Sequence, residues 1–106
     1  MKTINKETFL KKLGAFKGVR NAPSRNGYGT APNQFIIQFK NGRILQSYNT
    51  IVCGELYGKS NSCFVTSAHD YSTTTSRFVG QFLGMNLNER RKAIKDGTLM
   101  YYEIND

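Results

Sequence analysis

The chain of 106 residues has no tryptophan, one histidine, two cysteines and two prolines. Acids are scarce as well, seven against fifteen bases. Each shortage excludes something. Cys53 and Cys63 lack the CxxC spacing of a zinc or redox centre, and His69 cannot complete a four-ligand set with them, so no metal or other cofactor is expected. The same lone histidine argues against hydrolytic chemistry. Its carboxylate neighbour is Asp70, and adjacent residues rarely hold the geometry in which an acid orients an imidazole. No apolar run approaches the roughly 20 residues that span a bilayer. Met1-Lys2 leads into a polar, charged stretch rather than the apolar segment of a signal peptide. The expectation is a soluble, cytoplasmic, non-enzymatic protein whose thiols are free.

What the chain has is positive charge, unevenly spread. Its formal net charge is +8, and Lys2, Lys6, Lys11, Lys12, Lys17, Arg20 and Arg25 against Glu7 place +6 of it in the first 25 residues. Such an imbalance points to a polyanion or an acidic partner surface. Apolar residues at 39% and aromatics at 12% are enough to fold, and the length suits a single domain over residues 1–106.

The periodicity predicts a basic amphipathic helix over about 5–16, weakened at Gly14, where it either ends or runs on to Gly18. Asn5 caps it, and Phe9, Leu10, Leu13 and Phe16 form its apolar stripe, which leaves Lys6, Lys11, Lys12 and Lys17 on other faces. Residues 18–33 hold Gly27, Gly29, Pro23 and Pro32 with no surviving period. They read either as a flexible contact loop carrying Arg20, Arg25 and Tyr28 or as a disordered surface excursion. Asn41-Gly42 then predicts a hairpin between Gln34–Lys40 and Arg43–Tyr48. A turn centred on those two residues pairs Phe39 with Ile44 and sets Lys40 opposite Arg43, a like-charge pair that repels unless an anion joins it. Phe35, Ile37, Phe39, Ile44 and Tyr48 would face the core, with Ile36 on the other side.

Two more strands flank Gly58-Lys59-Ser60-Asn61. The Gly-Lys-Ser fragment lacks the first glycine of a phosphate-binding loop and reads as a turn. In the matching register Leu56 faces Cys63 and Cys53 faces Thr66. Asp70 or Ser72 caps a second helix with the stripe Phe78, Val79, Phe82 and Leu83. Hydroxyls at its start, with Arg77, resemble an anion site, although helix capping and the bonding of neighbouring strand ends are the preferred account of them. Asn86 and Glu89 cap a third helix that ends at Gly97, and its Arg90-Arg91-Lys92 run reads as a solvated face. A last strand covers Thr98–Ile104. The fold class is α+β: an antiparallel sheet of four or five strands with two or three helices packed on one face.

Two segments carry a resemblance. Ser47-Tyr48-Asn49-Thr50-Ile51-Val52 and Tyr71-Ser72-Thr73-Thr74-Thr75-Ser76-Arg77 match S-Y-x-T-x-V and Y-S-x-T-T-S-[KR]. The chain thereby resembles a group of small uncharacterised bacteriophage and mobile-element proteins over roughly residues 34–84. The resemblance implies a phage setting and no mechanism. Together with the charge it yields two expectations. The leading one is an accessory protein that binds nucleic acid (DNA or RNA) through Lys6, Lys11, Lys12, Lys17, Arg20, Arg25, Tyr28, Lys40, Arg43 and Arg77. The alternative is an anti-CRISPR-like inhibitor that binds an acidic host protein surface or a ribonucleoprotein.

Overall fold

A computed structural model of the chain describes residues 2–24, 29–58 and 62–104. In chain order it contains β1 (Lys2–Thr3), α1 (Lys6–Leu13), β2 (Phe16–Pro23), β3 (Thr30–Phe39), β4 (Gly42–Ser47) and β5 (Thr50–Leu56). There follow β6 (Ser62–Val65), a 3-10 turn (Ser67–Asp70), α2 (Thr73–Leu83), α3 (Leu87–Asp96) and β7 (Met100–Glu103). The α+β class stands, but the sheet is mixed. Its six strands β2 to β7 run in the order β7-β6-β5-β4-β3-β2, and two-residue β1 extends it beyond β7. The antiparallel meander from β2 to β6 is joined by β7, which lies parallel to both β6 and β1.

The helices do not share one face. On one side α1 presses Phe9 and Leu13 onto Ile44, Ile51 and Phe64. On the other, Phe78 and Val79 of α2 and Ala93 of α3 pack over Ile36, Leu45 and Val52. A strand covered on both faces needs a continuous apolar run rather than alternation. Ile51-Val52-Cys53-Gly54 of β5 supplies it, and all four are buried.

Two further expectations change, and the first helix takes the shorter of its two expected ends. The first helix stops at Leu13, because Gly14 adopts φ +80° and turns the chain into β2. The presumed contact loop at 18–33 is largely strand: β2 pairs with β3 from Phe16↔Phe39 to Pro23↔Thr30, with irregularities at Phe16/Gly18 and Asn21/Pro23. Glycine and proline there mark bulges in an edge strand. The hairpin exists, but its turn is Lys40-Asn41, so Phe39 pairs with Gly42, Ile37 with Ile44 and Gln38 with Arg43. Gly42 is needed for space instead. A Cβ there would sit 2.5 Å from Glu55 O and 2.8 Å from Leu13 Cδ2.

Between β5 and β6 the register is Cys53↔Val65 and Glu55↔Cys63, one residue away from the expected pairing. The Gly-Lys-Ser turn lies only partly within the described residues. Both thiols are free and share a face as diagonal neighbours, about 7–8 Å apart by sheet geometry. Among the described residues no helix is long and apolar enough to cross a membrane.

Candidate nucleic-acid interface

The interface begins with a backbone problem: the last carbonyls of α1 need donors. The β3–β4 turn provides them. Asn41 N–H donates to Leu13 O at 2.8 Å, Lys40 N–H to Ala15 O at 2.8 Å and the Asn41 side-chain amide to Lys12 O at 3.4 Å. Gly14 permits this approach, since a Cβ on it would lie 2.9 Å from Asn41 Nδ2. The turn is thereby bound to the end of α1 that carries Lys11 and Lys12, while Lys17 follows directly in β2. All four lysines, Lys40 included, are exposed, and none is ion-paired among the described residues. Phe16 stands in this corner 58% exposed, its ring edge-on to Phe39 at 6.0 Å.

The other expected contacts scatter. Lys6 lies half-buried at the far end of α1. Arg43 is not opposite Lys40. Its Nε donates to Glu55 Oε1 at 3.3 Å, and its guanidinium carbon sits 4.3 Å from the centre of the Phe82 ring. Arg20 shares that face of the sheet, one row along, and the two arginines line a cavity of about 240 Å³ with Ile36, Leu45, Phe78 and Gln81. Arg77 is exposed on α2 and belongs to neither place. Arg25 and Tyr28 lie outside the described residues.

A second hollow, of about 580 Å³, forms at the opposite end of β4. Ser47, Tyr48 and Thr50 from the β4–β5 turn meet Tyr71, Ser72 and Thr75 at the start of α2 there. The two segments noted in the sequence therefore converge. Tyr48 is 63% exposed and Tyr71 is 87% exposed. Tyr48 also has φ +55°, rare for a residue with a bulky side chain, because it opens a two-residue hairpin turn. Its N–H donates to the carbonyl of Asn33, itself at φ +64°, at 2.7 Å. The hydroxyl of Ser72 accepts from Thr75 N–H at 3.1 Å, so the helix cap uses part of the hydroxyl cluster internally.

Sequence reasoning missed Arg90. Taken as part of a solvated run, it is fully buried. Its Nε donates to His69 Nδ1 at 3.3 Å, Nη1 to Met85 O at 2.9 Å and Nη2 to Ser76 Oγ. No carboxylate is ion-paired with it among the described residues; Asp70 instead pairs with Arg91 at 3.8 Å. Burial lowers the Arg90 pKa from its usual value, and burial likewise lowers that of His69. The signal lay in spacing, because Arg90 shares the α3 stripe of Leu87, Ala93 and Ile94. Since His69 Nδ1 accepts from Arg90, this imidazole nitrogen is committed to the fold.

The architecture is that of a small α+β domain whose mixed sheet is held between helices, with its basic corner at one edge. The chain belongs to a family of unknown function, DUF8033, whose model matches residues 18–97. No curated protein and no solved structure matches it. The matched span takes in the cavity beside β2, most of the second hollow, Lys40 and Arg90, and leaves out α1 with Lys11 and Lys12 and the start of β2 with Lys17.

Proposed function

We propose that this protein is a non-enzymatic nucleic-acid-binding accessory protein of phage type, acting in the cytoplasm and gripping the phosphate backbone at its lysine corner. One observation carries the reading: the β3–β4 turn is bonded to the end of α1, which joins the segments that carry exposed Lys11, Lys12, Lys17 and Lys40 at a corner where Phe16 is also exposed. Lysines near a helix C-terminus also suit its dipole, but that explains neither Lys17 nor Lys40. Aromatic side chains among cations are the usual means of holding single strands.

Anisotropy titrations of labelled mixed-sequence DNA and RNA at several salt concentrations test this. Affinity should fall with salt at a log–log slope of roughly −0.9 per phosphate on duplex DNA and −0.7 on single strands. Replacing Lys11, Lys12, Lys17 and Lys40 together by Gln should flatten the slope and leave the melting temperature unchanged. No binding at low salt overturns the reading.

A second reading, an inhibitor of a host defence complex that docks on a protein or ribonucleoprotein, is favoured by the exposed Tyr48 and Tyr71. Tyrosine is enriched where partners bury surface. A pull-down with and without nuclease, comparing the parent with a Tyr48→Ala, Tyr71→Ala variant, tests it. A nuclease-resistant partner lost only from the variant favours the inhibitor.

A further inference from the structure

We propose that the cavity beside β2 is a slot for one unpaired nucleobase of a single-stranded nucleic acid. This rests on the nucleic-acid reading above and specifies the form of ligand it takes. The cavity, of about 240 Å³, lies between the C-terminal half of α2 and the three outer strands β2, β3 and β4. Ile36, Leu45 and Phe78 supply part of its apolar lining, which continues to Pro23 at the end of β2, and its polar groups are Arg20, Arg43 and Gln81. A base outside a duplex presents two apolar faces and one edge of donors and acceptors. Proteins that hold such a base cover the faces and bond the edge.

The two arginines differ in what they offer. Arg43 is restrained twice, by the Glu55 carboxylate at its Nε and by the Phe82 ring beneath its guanidinium. The carboxylate cancels much of its charge, which makes it a weak phosphate anchor. What remains is a fixed plane of directional Nη donors suited to a base edge. Arg20 is exposed and has no ion pair among the described residues. It lies on the same sheet face, at edge strand β2, where it can take the phosphate of the nucleotide whose base enters. Lys17 stands three residues back along the same strand, about 10 Å at strand rise. The slot opens on the α2 face of the sheet and the lysine corner is built on α1 at the other face. Lys17 and Arg20 of edge strand β2 therefore link the two, and a single backbone reaches both by passing around that edge. A duplex cannot fill the slot unless a base first leaves its stack and its partner.

The experiment compares three labelled ligands at one low salt concentration: a short mixed-sequence single strand, an abasic strand of the same length and the corresponding duplex. The intact strand should bind about tenfold tighter than the abasic one, the order of discrimination that a bonded base edge supplies. Arg43→Gln should remove that contrast and leave abasic binding unchanged, while Arg20→Gln should weaken both single strands. If Arg43→Gln lowers the melting temperature, Gln81→Ala, on the exposed rim, replaces it in the same comparison. Equal binding of intact and abasic strands overturns the slot and leaves the lysine corner standing. Failure of all three ligands to bind removes both readings. A contrast that survives in the folded pocket variant also overturns the slot.

Discussion

Arg90 Nε donates a hydrogen bond to His69 Nδ1 at 3.3 Å, and no part of Arg90 reaches solvent. The pair joins the 3-10 turn to α3, while the remaining guanidinium contacts reach Ser76 on α2 and Met85 after it. One side chain thus ties together three segments on one face of the sheet. A buried cation without a carboxylate is tolerable here because neutral acceptors surround it. Gly80 makes room, since a Cβ there would lie 3.3 Å from Arg90 Nη1.

This arrangement requires neutral His69, so stability should depend on pH. The His69 pKa is lowered by burial, and further by Arg90 and Arg91, against the opposing effect of Asp70; Tyr101 faces the ring at 6.3 Å. The unfolded chain therefore takes up a proton at higher pH than the folded one. The stabilisation is complete above the unfolded value near 6.5. It is lost as pH falls from there towards the lower folded value. Melting temperatures between pH 7.5 and 5 should decline, and His69→Gln should decline less steeply. Parallel curves for the two proteins would contradict this.

Truncating Arg90 should be among the costliest changes in the chain. Arg90→Ala empties a large buried site and orphans three acceptors, and breaking a buried charged contact costs about 3–5 kcal/mol. Arg90→Met, which keeps most of the volume, should cost less. Its neighbour Arg91→Ala, in an exposed pair, should cost under about 1 kcal/mol. Urea denaturation gives all three values.

The two-sided sheet predicts that Ile36→Ala is at least as damaging as Phe39→Ala. Ile36 is buried under α2, whereas Phe39 is half-buried and packs partly on exposed Phe16. Removing a buried isoleucine side chain costs about 2–5 kcal/mol. A one-sided sheet with Phe39 in its core ranks the two variants the other way, and thermal melts decide.

The thiols should differ in reactivity. Cys53 is fully buried, and burial pushes its pKa far up; Cys63 is half-buried, and burial with Glu55 raises its pKa more moderately. Alkylation of the native protein at pH 8 should label Cys63 slowly and Cys53 only on unfolding. Peptide mass spectrometry distinguishes the two sites, and prompt labelling of Cys53 would contradict its burial.

How far the sequence could be followed depended on the range of the interactions. Local chemistry was legible. Asn5, Ser72 and the reciprocal Asn86–Glu89 pair cap their helices, and Gly84 and Gly97 end two of them in left-handed geometry. The hairpin was foreseen but its turn centre was misplaced, because Gly42 answers to Glu55 and Leu13, which are distant in sequence. Parallel pairing of β7 with β6 and β1 has no local signal at all. At the site, lysines on α1 were legible as a charged face. That they meet Lys40 depends on backbone bonds between segments nearly 30 residues apart, as Asn41 to Lys12 is 29. Arg43 was misjudged because Glu55 and Phe82 reach it only through tertiary packing.

The position of β2 has one more consequence. It is the last strand of the sheet, so its outer backbone groups have no strand to pair with among the described residues. An open edge bearing Phe16 and Val19, each more than half exposed, is a template on which other chains can add strands. Lys17, Arg20, the Gly18 irregularity and Pro23 all discourage that addition, through repulsion or missing donors. The cations proposed to attract a polyanion would also oppose strand pairing between copies of the protein. Neutralising them should therefore shorten shelf life in solution, and a bound nucleic acid, by covering the same edge, should protect the protein from self-association.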